Sequence, residues 1–260
     1  MFDLISPIVT RIKQDKPLVL NITNLVTMDF IANGLLCVGA SPIMSQGIEE
    51  SADLMNICAS VVINPGTLDE PFIKLSEQVC QLANVHKKPI VFDPVGAGAS
   101  AYRTTTCKRI LDTFKIAILR GNASEIMALA GHTNNTKGVD SLSETQYAID
   151  SARLLAQKYQ LTVVISGETD AIVDTHTTEY INYGSPLMPM ITGTGCLLSA
   201  VVGAFQAVHS NPFEAATAAT AFYGMCGTMA ARHATKPGSF KVAFLDALYT
   251  LPNRDDYANN

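Results

Sequence analysis

Short apolar runs alternate with longer stretches of helical periodicity along most of the chain. Residues 18–22 (LVLNI), 60–63 (SVVI), 89–93 (PIVFD), 117–119 (AIL) and 162–166 (TVVIS) are continuous in aliphatic and β-branched side chains. That is the pattern of strands buried on both faces. Helix-length segments lie between them. Thr67 opens a T-L-D-E capping box, and Phe72, Leu75, Val79 and Leu82 follow on one helical face. Ser6-Pro7 ahead of apolar positions 8, 9 and 12 predicts a capped amphipathic helix near the N-terminus. Strands separated by helices imply βαβ units and a mostly parallel sheet covered on both sides. Residues 171–175 (AIVDT) and 179–182 (EYIN) predict an antiparallel addition. Residues 196–209 and 214–234 are apolar nearly all round and rich in Ala and Gly, so they predict buried helices packed closely together. Residues 131–141 (GHTNNTKGVDS) read as a polar surface loop. No repeat, low-complexity segment or linker divides the chain, and the expectation is one α/β domain over residues 1–260.

Composition narrows the picture. The chain is 48% hydrophobic and 16% charged, against a usual charged share of about a quarter. Such a sequence can bury a large core and still retain apolar surface for an oligomer interface. No apolar run reaches the roughly 18 residues of a membrane helix. The first residues lack a cationic start and a small-residue cleavage site, so they do not read as a signal peptide. The six cysteines are dispersed and form no C-x-x-C pair, which suggests reduced thiols in a cytoplasmic protein rather than a disulfide framework or a zinc site. A net charge of −5 argues against a nucleic-acid partner. An anionic ligand must be held by local geometry.

Ligands of open α/β sheets bind beyond the carboxyl ends of the strands, and three segments fall there. They are DPVGAGAS (93–100), RGNASE (120–125) and SGETD (166–170). Asp93-Pro94 can simply end a strand, and Asn122 with Glu125 has the spacing of a capping box, so each has a purely structural explanation. Together, Asp93 and Glu125 could meet around Mg²⁺, which favours one or two carboxylates plus phosphate oxygens. Arg120 would stand beside them as a permanent cation. A fourth segment, ITGTGC (191–196), aims a glycine turn into the start of a buried helix. Gly193 and Gly195 permit close backbone approach, and the helix N-terminus makes the turn an anion hole. It is not a Walker loop, since no GK[ST] follows. An anion hole beside a possible Mg²⁺ site points to phosphoryl transfer.

The glycine turn before a buried helix, combined with N-x-x-E, resembles the ribokinase-like superfamily, in which an aspartate usually serves as general base where Cys196 stands here. GTGC with cysteine is similar to the pyrimidine and thiazole kinases of thiamin salvage. The pyrimidine kinases begin with a glycine-rich strand–loop that this chain lacks. NITNLVTMDFIANGLLCVGASPIMS (21–45), DPVGAGAS, RGNASEI and ITGTGCLLSAV all resemble hydroxyethylthiazole kinase, in order from about residue 18 to about residue 210. The resemblance implies a three-layer ribokinase-like fold without the lid of sugar kinases. It implies ATP- and Mg²⁺-dependent phosphorylation of 4-methyl-5-(2-hydroxyethyl)thiazole. It places Met44, Gly193 and Asn24 at the thiazole alcohol and Arg120 and Ser166 at ATP. Family members commonly have threonine at the latter position, and serine keeps the hydroxyl. Asp93 and Glu125 would surround magnesium, directly or through water, and a homotrimer would carry its sites at subunit interfaces.

Cys196 would accept the proton of the attacking hydroxyl or merely orient it. The helix N-terminus favours a thiolate and nearby phosphates oppose one. Two readings from other classes stand beside the kinase. Cys196 could be the nucleophile of a hydrolase, which requires a partnering histidine. Alternatively, the site could bind a nucleotide or thiazole for regulation without turnover.

Overall fold

In the computed structural model the described residues are 1–132, 141–250 and 252–258. The chain opens with a helix, α1 (Phe2–Asp15), and then lays down β1 (Leu18–Ile22), α2 (Met28–Val38), β2 (Ser41–Met44), α3 (Ser51–Ile57) and β3 (Ser60–Ile63). Next come α4 (Glu70–Val85), β4 (Ile90–Phe92), α5 (Ala101–Thr113), β5 (Ile118–Asn122), α6 (Ala123–Leu129) and α7 (Ser141–Tyr159). The hairpin end follows as β6 (Thr162–Ser166), β7 (Asp170–Val173) and β8 (Thr178–Ile181). A 3₁₀ turn at Met188–Met190 leads into α8 (Thr194–Val208), α9 (Pro212–His233), α10 (Pro237–Thr250) and α11 (Arg254–Ala258).

The strands form one eight-stranded sheet in the order β2-β1-β3-β4-β5-β6-β7-β8. The first six are parallel, and β7 and β8 are antiparallel as their sequence predicts. Alternation along the strands sorts the core into two halves. Val19, Val62, Val91, Ile118 and Val164 face α1, α2, α8, α9 and α10. Leu20, Val61, Ile63, Phe92, Leu119 and Val163 face α3 to α7. The result is three layers. The helix α8 is buried along nearly its whole length, and it lies directly on the sheet because residue 203 is glycine. A Cβ there would fall 2.8 Å from Val62 Cγ2. Ser60 Oγ donates to the Gly203 carbonyl at 2.8 Å across the same contact.

Several local expectations are corrected. The first helix starts at Phe2, not at a Ser6 cap, and Pro7 lies inside it. Burial of Ile5, Ile8, Val9 and Ile12 outweighs the one backbone bond that proline cannot make. The start of α4 is capped by Asp69, whose carboxylate accepts from Phe72 N–H at 2.8 Å. Thr67 instead accepts from Leu25 N–H at 3.2 Å and ties two loops together. Strand β2 carries Ser41-Pro42, which hides it from a propensity reading. It lies at the sheet edge, where a proline is tolerated. Strand β5 runs to Asn122, so Arg120 sits within the strand and not after it. Of the stretch 131–141 read as a surface loop, Gly131 and His132 are exposed and Ser141 begins α7, while 133–140 lie outside the described residues. No helix among the described residues is long and apolar enough to cross a membrane.

Candidate active site

The carboxyl ends of the parallel strands present a polar row to the start of α8. Asn64 follows β3, Asp93 follows β4, Arg120 lies in β5 and Ser166 ends β6. Asp93 is fully buried, and its Oδ2 is the hub. It accepts from Ser199 Oγ at 2.7 Å, from Asn64 Nδ2 at 3.0 Å and from Arg120 Nη1 at 3.5 Å. Burial pushes the Asp93 carboxyl up to about 6, with Glu125 adding to the rise and Arg120 and Ser199 opposing it. Arg120 is itself buried and donates through Nη2 to Ser166 Oγ. Asp93 Oδ1 and Arg120 Nε are buried without partners. Buried polar atoms without partners are costly.

Above this pair lies the turn 191–196. Gly193 has φ +94° and caps α8 in the left-handed region, where only glycine is at ease. A side chain there would also strike Thr27 at 2.8 Å. Gly195 has no room for a Cβ because the Arg120 guanidinium lies beneath it. The turn is fastened from behind by Tyr223, whose hydroxyl donates to the Thr194 carbonyl at 2.7 Å. The first turn of α8 thus points N–H groups that lack intrahelical acceptors at the space over Arg120.

The loop after β4 is held on two sides. Asn122 and Glu125 form the predicted capping box of α6. Glu125 Oε2 accepts from Asn122 N–H and its Oε1 accepts from Gly96 N–H, both at 2.9 Å. Arg103 donates to the carbonyls of Pro65 at 2.7 Å, Val95 at 3.1 Å and Gly66 at 3.0 Å, joining the loops that follow β3 and β4. The capping explanation of Glu125 therefore holds, and the same carboxylate also ties down the loop after β4.

Cys196 is half-buried on the first turn of α8, and Asn24 Nδ2 lies 3.4 Å from its sulfur. Burial raises the thiol pKa and Asp93 raises it further, while hydrogen-bonding groups of Asn64 and Thr27 and the Arg120 charge act against them. The resting group is a thiol, so the helix N-terminus does not prevail. No histidine among the described residues hydrogen-bonds it. His209 pairs with Glu214 and His132 with Ser151, away from the site. The hydrolase reading has no base.

A model of the hydroxyethylthiazole kinase family matches residues 9–254. The hydroxyethylthiazole kinase of Photobacterium profundum is 48% identical over 240 residues, covering 92% of this chain and 86% of that protein. That of Desulfotalea psychrophila is 45% identical over 241 residues, covering 93% of this chain and 88% of that protein. The chain belongs to the hydroxyethylthiazole kinase family. A solved hydroxyethylthiazole kinase structure from Pyrococcus horikoshii superposes with TM-score 0.90 at 36% identity, over 100% of this chain and 97% of that one. A ribokinase-like superfamily protein from Enterococcus faecalis shares the fold at TM-score 0.63 and 16% identity, covering 90% of this chain and 87% of that one.

Within this kinase fold, Asn24, Asp93, Arg120, Glu125, Ser166, Gly193 and Cys196 gather around one end of the sheet. Met44 stands apart at the end of the edge strand, opposite Asn21 on β1. Asn64, Ser199 and Arg103 escape a motif reading. A signal for Asn64 was present: INPG (63–66) repeats the pattern of FDPV (92–95), a strand ending in a polar residue and proline.

Proposed function

We propose that the protein transfers the γ-phosphoryl group of ATP to the hydroxyl of 4-methyl-5-(2-hydroxyethyl)thiazole, giving the thiazole phosphate of thiamin salvage. The observation that carries this reading is the Arg120 guanidinium held directly under Gly195, a cation and a helix N-terminus converging on one space. Phosphoryl transfer relies mostly on such positioning and charge neutralisation. Arg120 and Ser166 take the nucleotide side, and Met44, Asn24 and Gly193 take the thiazole alcohol. The hydroxyl oxygen attacks the γ-phosphorus and the bond to the bridging oxygen breaks, releasing ADP. Cys196 orients the hydroxyl, and in its thiolate form it receives the proton as the new bond forms.

Among the described residues, no three His, Cys, Asp or Glu side chains cluster as a protein-only metal cage. Asp93 and Glu125 suit Mg²⁺, which takes most of its ligands from phosphate and water. The unpartnered Asp93 Oδ1 offers the acceptor, and Glu125 would add its carboxylate through water. When bound, the ion would neutralise phosphate charge. Arg120, Ser199 and Asn64 hold the Asp93 carboxylate in place.

The chain is read as one ribokinase-like domain, cytoplasmic, with six unpaired cysteines. A homotrimer with sites at subunit interfaces is the proposed assembly. Leu25 and Val26 support it, because they are 60% and 71% exposed although they sit between the buried Asn24 and Thr27. Sedimentation equilibrium checks the assembly. Product mass after incubation with ATP, Mg²⁺ and the thiazole alcohol tests the reaction: one added phosphate per ADP formed is expected, and ADP formed without phosphorylated alcohol would refute it.

A further inference from the structure

Cys196 and Asp93 stand on different elements, one on α8 and one after β4, and two side-chain amides join them. Backbone N–H groups, which can only donate, decide how both amides face. Gly66 N–H donates to Asn64 Oδ1 at 3.0 Å, which turns Asn64 Nδ2 to Asp93 Oδ2. Thr27 donates to Asn24 Oδ1 through N–H at 3.1 Å and through its hydroxyl at 3.0 Å. Asn24 Nδ2 must then face the other way, where its two hydrogens meet Asn64 Oδ1 at 3.1 Å and Cys196 Sγ at 3.4 Å. Asn24 and Asn64 are 4% and 1% exposed. The buried Asn24 amide, with both hydrogens assigned, cannot turn without stranding a donor. Ser199, three residues after Cys196 on α8, closes the circuit by donating to the same Asp93 oxygen.

We propose that Asn64 is a positioning residue for the acceptor end of the site. Together with Thr27 it fixes the Asn24 amide so that the Cys196 sulfur is held as a hydrogen-bond acceptor. It also registers that sulfur against the Asp93–Arg120 pair on the phosphate side. The catalytic consequence rests on the kinase reading, whereas the geometry does not. Without Asn64, one hydrogen of the Asn24 amide loses its acceptor and Asp93 loses a donor. The sulfur then faces the attacking hydroxyl from no fixed position, and negative charge on it loses its support. A residue that merely filled space would change stability and leave the reactivity of the Cys196 thiol untouched.

The test combines alkylation of Cys196 by iodoacetamide, resolved from the other cysteines by peptide mass, with steady-state kinetics. It uses wild type, Asn64→Ala, Asn24→Ala and the double variant, with Asn64→Ser available should the alanine variant fail to fold. Asn64→Ala is expected to slow both alkylation and kcat about tenfold, the usual scale for a hydrogen bond to a group that carries charge. The KM for ATP stays within about twofold of wild type. The double variant is expected to be no slower than Asn24→Ala, because the two asparagines act as one unit. Wild-type alkylation and kcat in a folded Asn64 variant would overturn the proposal, as would effects of the two asparagines that add in full. If the wild type does not phosphorylate the thiazole alcohol, the kinase reading falls while the alkylation series still decides the role of Asn64.

Discussion

A Cβ on Gly195 would lie 2.7 Å from Arg120 Nη1 and 2.9 Å from Nη2. The obstacle is the far end of a side chain and not backbone, so a methyl group at 195 moves the guanidinium and leaves the helix intact. Alanine in the first turn of α8 favours the helix by up to about 1 kcal/mol, but loosening the buried Arg120 from Asp93 costs more, so a modest fall in melting temperature is expected. Displacing Arg120 from Asp93 and Ser166 is expected to raise the KM for ATP about tenfold or more, on the scale of one charge-assisted contact. Calorimetry and ATP titration check the two halves. A drop in melting temperature with an unchanged KM would show that Arg120 does not serve the nucleotide.

The raised pKa of Cys196 leaves little thiolate to act as a base. Cys196→Ala is accordingly expected to remain active, with kcat lowered by less than the roughly 10²–10⁴-fold of a full general base. Cys196→Asp puts a carboxylate at the same helix corner and is expected to keep activity. Single-turnover rates with the thiazole alcohol measure both. An aspartate variant wholly without activity would contradict proton handling at this corner.

Asp93 links pH to stability with a definite sign. Its carboxyl is raised to about 6 in the folded protein from an ordinary 3.8. Between those values the unfolded chain has released the proton and the native one retains it. Native protein then binds more protons, so stability falls as pH rises through the window, by up to roughly 3 kcal/mol across its full width. Urea midpoints at pH 4.5 and pH 7 should show wild type losing ground to Asp93→Asn as pH increases. A gap between the two proteins that is the same at both pH values would contradict this. Activity is expected to run the other way, because supporting Mg²⁺ requires the ionised form.

Met44 sits on the edge strand, away from the Asp93–Arg120 pair. Met44→Ala is expected to raise the KM for the thiazole alcohol several-fold, as loss of a buried side-chain contact, with the KM for ATP little changed. Equal effects on both would remove Met44 from the acceptor pocket.

The parallel core, the antiparallel end and the buried helices α8 and α9 were legible in the chain because each carries its own periodicity. The glycine turn before α8 and the Asn122–Glu125 box were legible as local motifs. What the sequence hid is pairwise and long-range. Ser199 reaches Asp93 across 106 positions and Asn24 reaches Cys196 across 172, and no local pattern encodes such contacts. Strand β2 was hidden because Ser41-Pro42 suits an edge position that only the sheet order reveals. The balance of forces on the Cys196 thiol required the burial and the neighbouring charges, both of which arise only once α8 is docked.

The most direct measurement is ADP release by purified protein with ATP and Mg²⁺, in the presence of the thiazole alcohol, of hydroxymethylpyrimidine, or of neither. Turnover dependent on the thiazole alcohol, and absent with the other two, is the predicted result. Turnover with the pyrimidine alone would contradict the acceptor assignment, and no turnover with either alcohol would contradict phosphoryl transfer at this site.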